Sequence, residues 1–127
     1  IVSNLQNARS EAQLYWSDMN GAFGSYLSDK CPSTLSATAN MFEQSANSHS
    51  VRLNKILAEA NKDSGGSVDI ATARYSNTRC AANGSNWAIA VALKSTPTSA
   101  WCVDSQGTAK KVTTATPFTT SGALACL

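Results

Sequence analysis

Apolar positions in the first 28 residues fall at Ile1, Leu5, Ala8, Ala12, Tyr15, Met19, Ala22 and Tyr26. The spacing alternates four and three, which is one continuous helical stripe. Trp16 and Phe23 widen the stripe on one side, while Arg9, Glu11 and Asp18 lie off it. The helix is expected to end near Ser28 to Lys30, because Pro32 lacks a backbone donor and biases Cys31 away from helical angles. Gly21 and Gly24 sit inside its last turns, each costing about 1 kcal/mol relative to alanine. No Ser, Thr, Asp or Asn precedes Ile1 and Val2 to cap the first turn. The segment is therefore expected to be the lower half of a longer helix.

Further along, Val51, Leu53, Ile56, Leu57 and Ala60 share one helical face, with Ser48 or Ser50 as the cap and Gly65-Gly66 as the stop. This predicts a shorter second helix within residues 48–62. From residue 67 the period drops to two. Val68, Ile70 and Thr72 make a weak strand, and Asn83-Gly84-Ser85 is a turn signal. WAIAVALKS, residues 87–95, alternates Trp87, Ile89, Val91 and Leu93 against Ala88, Ala90, Ala92 and Lys94, the clearest strand in the chain. Residues 100–103 follow as a strand, Asp104-Ser105-Gln106-Gly107 as a turn, and residues 111–114 as a final strand. Tight turns imply antiparallel pairing, and segregated helices and strands make the chain α+β. The expected architecture is a long N-terminal helix packed on a three- to four-stranded antiparallel sheet. The segments are the helix at 1–29, a connection with the short helix at 30–66, the sheet at 67–116 and a C-terminal loop at 117–127. Tyr15, Trp16, Met19, Phe23 and Tyr26 are expected to cover the sheet's large-residue face.

At 127 residues, with 43% hydrophobic and 14% charged residues, the chain is one globular domain with a lightly charged surface. A net charge of +2 is too small to imply nucleic-acid binding. Cys31, Cys80, Cys102 and Cys126 show no CxxC spacing, and His49 has no cysteine near it in sequence. That argues against zinc and for two disulfides in an oxidising compartment, with three connectivities open.

Catalytic chemistry is hard to assemble from these residues. His49 is the only histidine, it sits in a polar stretch, and no nucleophile elbow accompanies any serine. It reads as a solvent-exposed bystander. The eight carboxylates are dispersed, and Asp104 reads as a turn residue. Trp16, Trp87 and Trp101 would make a carbohydrate platform only if exposed together; their phase on the stripe and strands reads as core packing. No catalytic, cofactor-binding or metal-ligating residue is assigned.

Taken together, NLQNARSEAQLYW resembles the segment of type IV pilins and type II secretion pseudopilins that follows the membrane-spanning half of their first helix. NWAIAVALKS followed by AWCVDSQG resembles the second and third strands of such pilins, where a CVDS-x-G pattern recurs. The order of the cysteines completes a likeness that covers nearly the whole chain.

The resemblance implies a non-enzymatic filament subunit, anchored in the cytoplasmic membrane through a preceding apolar half-helix until assembled. It implies partners in the pilus assembly machinery, a place at the cell surface, and the pairing Cys31–Cys80 and Cys102–Cys126. The latter pair would bound a surface-exposed C-terminal loop. An uncovered stripe at Ile1, Val2, Leu5, Ala8 and Ala12 would suit helices bundling in a filament core. The alternatives are a pseudopilin or minor pilin, and a small secreted hydrolase or binding module.

Overall fold

The computed structural model describes residues 2–94, 96, 98–113, 118–119 and 124–126. Two helices, α1 (Val2–Asp18) and α2 (Ser48–Asp63), accompany strands β1 (Ser25–Pro32), β2 (Val68–Asp69), β3 (Arg74–Asn83), β4 (Trp87–Ala92), β5 (Ala100–Asp104) and β6 (Ala109–Val112). A short ribbon of β7 (Phe118–Thr119) and β8 (Ala125–Cys126) closes the described chain.

The first helix is shorter than its apolar spacing suggests. It stops at Asp18 because Asn20 and Gly21 adopt φ of 57° and 84°. The Gly21 amide then donates back to the Trp16 carbonyl at 2.9 Å, a Schellman-type closure. Past Gly24, also left-handed at φ 79°, the chain turns into β1. Phe23 and Tyr26 therefore belong to the connection and the strand, and the stripe's continuation through them is coincidence.

The second helix, at 16 residues, nearly equals the first at 17. Its cap is Asn47 and neither of the serines expected: the Asn47 carboxamide oxygen accepts from the His49 and Ser50 amides. The sheet is also larger than expected. β1-β3-β4-β5-β6 lie in that order, with β2 also on β3, all antiparallel, and β7–β8 form a separate pair. A long helix on a three- to four-stranded sheet, the pilin-like architecture implied by resemblance, is thus replaced by two comparable helices on a six-stranded sheet. β1 is what the sequence hides. It pairs with a strand about fifty residues later, through a register broken between Tyr26 and Asp29 and between Lys30 and Pro32. Such a partner leaves no local period.

Both faces of β4 are buried. Trp87, Ile89 and Val91 join Leu5, Ala8, Ala12, Tyr15, Leu53, Leu57 and Ala60 in the core beneath the helices. Ala88 and Ala90 pack on the other side with Val112, Phe118, Leu124 and the Cys102–Cys126 pair. The stripe at Leu5, Ala8 and Ala12 is therefore fully covered (0% exposed). α2 lies beside α1 and supplies the apolar cover that the sequence leaves unassigned.

Cys31 is bonded to Cys80, which ties edge strand β1 to its neighbour β3. With α1 ending at Asp18, this bond is a staple between two strands of the sheet. Near it, Asp29 accepts from the Lys30 amide at 2.7 Å and pairs with Arg74. The backbone hydrogen bond first, and the Arg74 guanidinium after it, hold this carboxyl below its usual range despite partial desolvation. A carboxyl lowered by folding stabilises the fold above its unfolded pKa and loses that contribution as pH falls through the folded value. Because the pair is solvent-exposed, the effect is small. Arg74→Ala should lower the neutral plateau of a thermal-melt series slightly, with the variant and wild-type curves converging as Asp29 is protonated between about pH 5 and about pH 2.

Candidate functional site

Four edges of α1 do different work, because side chains three, four and seven apart share a face. Leu5, Ala8, Ala12 and Tyr15 point into the core. Asn4, Glu11 and Asp18, each seven apart, face α2. Asn4 donates to Asp63 at 3.0 Å. Glu11 accepts from Arg52 Nε at 3.0 Å and lies 3.0 Å from His49 Nδ1, while His49 Nε2 lies 3.1 Å from Asp18.

His49 is therefore a clasp between the helices, with its side chain only 16% exposed. It is not the exposed bystander its polar surroundings suggest. The readable signal was the seven-residue spacing of Glu11 and Asp18 along one edge. The third edge carries Arg9, Gln13 and Trp16. The fourth, made of Ser3, Gln6, Asn7, Ser10, Leu14 and Ser17, is exposed to solvent and bears no charge.

The residues expected to hold the sheet divide. Tyr15 and Phe23 are buried, and Met19 and Tyr26 pack against the core from partly exposed positions. Tyr26 and Phe42 meet edge to face with ring centroids 5.6 Å apart. Burial chiefly raises the Tyr15, Tyr26 and Tyr75 phenols above their ordinary value. Trp16 does not cover the sheet: it is 39% exposed. The three tryptophans do not form a platform, since Trp87 is buried and Trp101 packs against the core. Of the expected assembly residues, Ile1 lies outside the described chain, and Leu5, Ala8 and Ala12 are core.

At the far edge of the sheet, Cys102 of β5 is bonded to Cys126 of β8. Beside it Asp104 is completely buried. Its Oδ1 accepts from the Gln106 and Thr108 amides, both at 2.9 Å, and its Oδ2 accepts from the Cys126 amide at 2.8 Å. One carboxylate thus shapes the β5–β6 turn and docks the C-terminal ribbon. Reading Asp104 as a turn residue captured only half of this. The C-terminal loop expected at 117–127 contains the short β7–β8 pair and the buried Leu124, and otherwise lies outside the described residues.

Replacing Cys102 and Cys126 together by serine should lower stability by about 2–4 kcal/mol. Urea denaturation of oxidised and variant protein checks the size, and proteolysis should then cut first within residues 113–127. Two disulfides belong to an oxidising, extracellular or periplasmic environment. No helix among the described residues is long and apolar enough to cross a membrane. In comparisons with known proteins, no family model, curated protein or solved structure matches the chain.

Proposed function

We propose that this chain is a structural subunit of an extracytoplasmic filament of the type IV pilus class, held to its neighbours by α1. The observation that carries the reading is the outward edge of that helix. Ser3, Gln6, Asn7, Ser10, Leu14 and Ser17 are exposed along it with no charge among them. A soluble helix ordinarily fills its solvent face with charged residues. Small polar side chains at three- and four-residue spacing instead let another helix approach closely and accept its hydrogen bonds. The assembly face is thereby moved from the buried stripe at Leu5, Ala8 and Ala12 to the opposite side of the same helix.

The residue resemblance at NLQNARSEAQLYW and CVDSQG supports the same class. So does the Cys102–Cys126 staple with Asp104 beneath it, which suits a segment displayed on a filament surface. Membrane anchoring before assembly, and handling by a pilus assembly machinery, follow from that class.

Shearing cells that produce the full chain and pelleting the released surface material is the test. The reading expects this chain as a main component of the pelleted fibres. Recovery only as free monomer would overturn it. A trace amount among fibres built from another subunit would assign it to the minor subunits of the same class.

A further inference from the structure

The third edge of α1 forms one wall of a groove of about 440 Å³, whose opposite wall is the β3–β4 and β5–β6 turns. We propose that this groove binds a neutral hexopyranose, as one residue or the end of an oligosaccharide. The proposal does not rest on the filament reading, because the groove edge (Arg9, Gln13, Trp16) and the outward edge of α1 are different faces.

Three observations point to a sugar. The first is a fixed indole. Trp16 is 39% exposed, yet its ring rests on Gly21, where an added side-chain carbon would come within 3.3 Å of Cζ2. Phe23 supports it from a centroid distance of 6.5 Å. An exposed aromatic held in place offers a flat apolar face at little entropic cost, which suits the C–H face of a pyranose ring.

The second is neutral polar chemistry with spare capacity. Gln13 has no side-chain partner among the described residues. Asn86 Oδ1 accepts from Ser105 Oγ at 3.1 Å and from Gln106 Nε2 at 2.6 Å, and among the described residues the Asn86 amide NH2 has no acceptor. Amides and hydroxyls of this kind supply the paired donors and acceptors that sugar hydroxyls require.

The third is that the groove holds one carboxylate with no free acceptor and one guanidinium with a spare donor. Arg9 Nη2 donates to the Thr108 carbonyl at 2.8 Å, while its buried Nε has no partner among the described residues. Both Asp104 oxygens are occupied by backbone amides. The free Arg9 Nε–H is a donor that a sugar hydroxyl or ring oxygen can satisfy. The volume suits a small ligand of one or two rings.

The test is a heteronuclear NMR titration of the full chain with glucose, galactose and N-acetylglucosamine, and with glucuronic acid as the charged comparison. The expected result is saturable shifts of the Trp16 indole and of the amides of residues 84–87 and 105–107. Dissociation constants should be about 1 mM for at least one neutral sugar, as fits one stacked ring and a few hydrogen bonds. Trp16→Ala should weaken binding by at least about tenfold, and Gln13→Ala by less.

Trp16 is outside the core, so the amides of the buried Ile89 and Val91 on β4 should stay in place and report an intact fold. Three outcomes would overturn the proposal: no saturable shift in the groove with any neutral sugar, shifts that persist in Trp16→Ala, or binding confined to glucuronic acid.

Discussion

Replacing Gly24 by alanine is expected to destabilise the chain by at least about 4 kcal/mol, a large share of the total stability of a domain this size. Gly24 sits where three segments cross. The Phe23 amide donates to the Gly84 carbonyl at 2.9 Å, and the Gly84 amide donates to the Gly24 carbonyl at 2.6 Å. The Met41 amide meets the Phe23 carbonyl at 2.9 Å. An alanine side chain at position 24 would lie 2.3 Å from both the Ala39 carbonyl oxygen and Asn40 Cα. These are backbone atoms, so relief requires moving the segment that carries Met41 and Phe42, both fully buried. The residue also has φ of 79°, which costs an L side chain about 1–2 kcal/mol before any clash.

Gly84→Ala separates the two contributions. Its φ is 90°, and no atom lies within 4 Å of an added side-chain carbon. That variant should therefore show only the cost of the backbone conformation, about 1–2 kcal/mol. Equilibrium urea denaturation of both variants checks the pair. Equal losses would mean that the close approach at Gly24 is not what the fold depends on.

Asp104→Ala is expected to cost at least about 3 kcal/mol, because it strands three backbone amides that share one buried carboxylate. The Gln106 and Thr108 amides lie in the β5–β6 turn, and the Cys126 amide lies in the ribbon beyond the disulfide. The damage should be visible in two places at once. Amide hydrogen exchange should accelerate at Gln106, Thr108 and Cys126, while the helix clasp at Glu11 and His49 keeps its protection.

Asp104→Asn is the sharper variant. A carboxamide has one oxygen and one NH2, so it cannot accept on both sides as the carboxylate does. It should keep the turn or the ribbon contact, but not both, and fall between wild type and Asp104→Ala. Wild-type stability in the asparagine variant would show that the shared acceptor is dispensable.

Local patterns were legible where one element's own period carried the answer. WAIAVALKS alternates because its large side chains meet the helices and its alanines meet the C-terminal ribbon, and it forms β4. The apolar face of the second helix marks α2 in the same way. What failed was length and partnership. The four-three spacing continues past Asp18 through Gly21 to Tyr26, and only the left-handed angles at Asn20, Gly21 and Gly24 show the helix to have ended.

A stripe such as Leu5, Ala8 and Ala12 says that something apolar must cover it. It does not say whether the cover is another subunit or a helix some forty residues downstream. Here α2 covers it, through Leu53, Leu57 and Ala60. Asn61 was missed for the same reason. It is buried, and its carboxamide accepts from the Asn77 amide and the Thr78 hydroxyl while donating to the Ser67 carbonyl, contacts made across the fold. The groove beside Trp16 was hidden as well, because its walls come from three separate parts of the chain.

The filament reading stands or falls on which side of α1 meets another subunit. Ser10→Cys places a thiol at the centre of the uncharged outward edge, and Gln106→Cys places one on the exposed β5–β6 turn as a comparison. Both would be made in the full chain, in cells that assemble it, with the four native cysteines already paired. After mild oxidation of sheared fibres, non-reducing gels should show covalent dimers from Ser10→Cys and few from Gln106→Cys. Fibres that form normally yet yield no Ser10→Cys dimers, or yield as many from Gln106→Cys, would contradict assembly through this edge of α1.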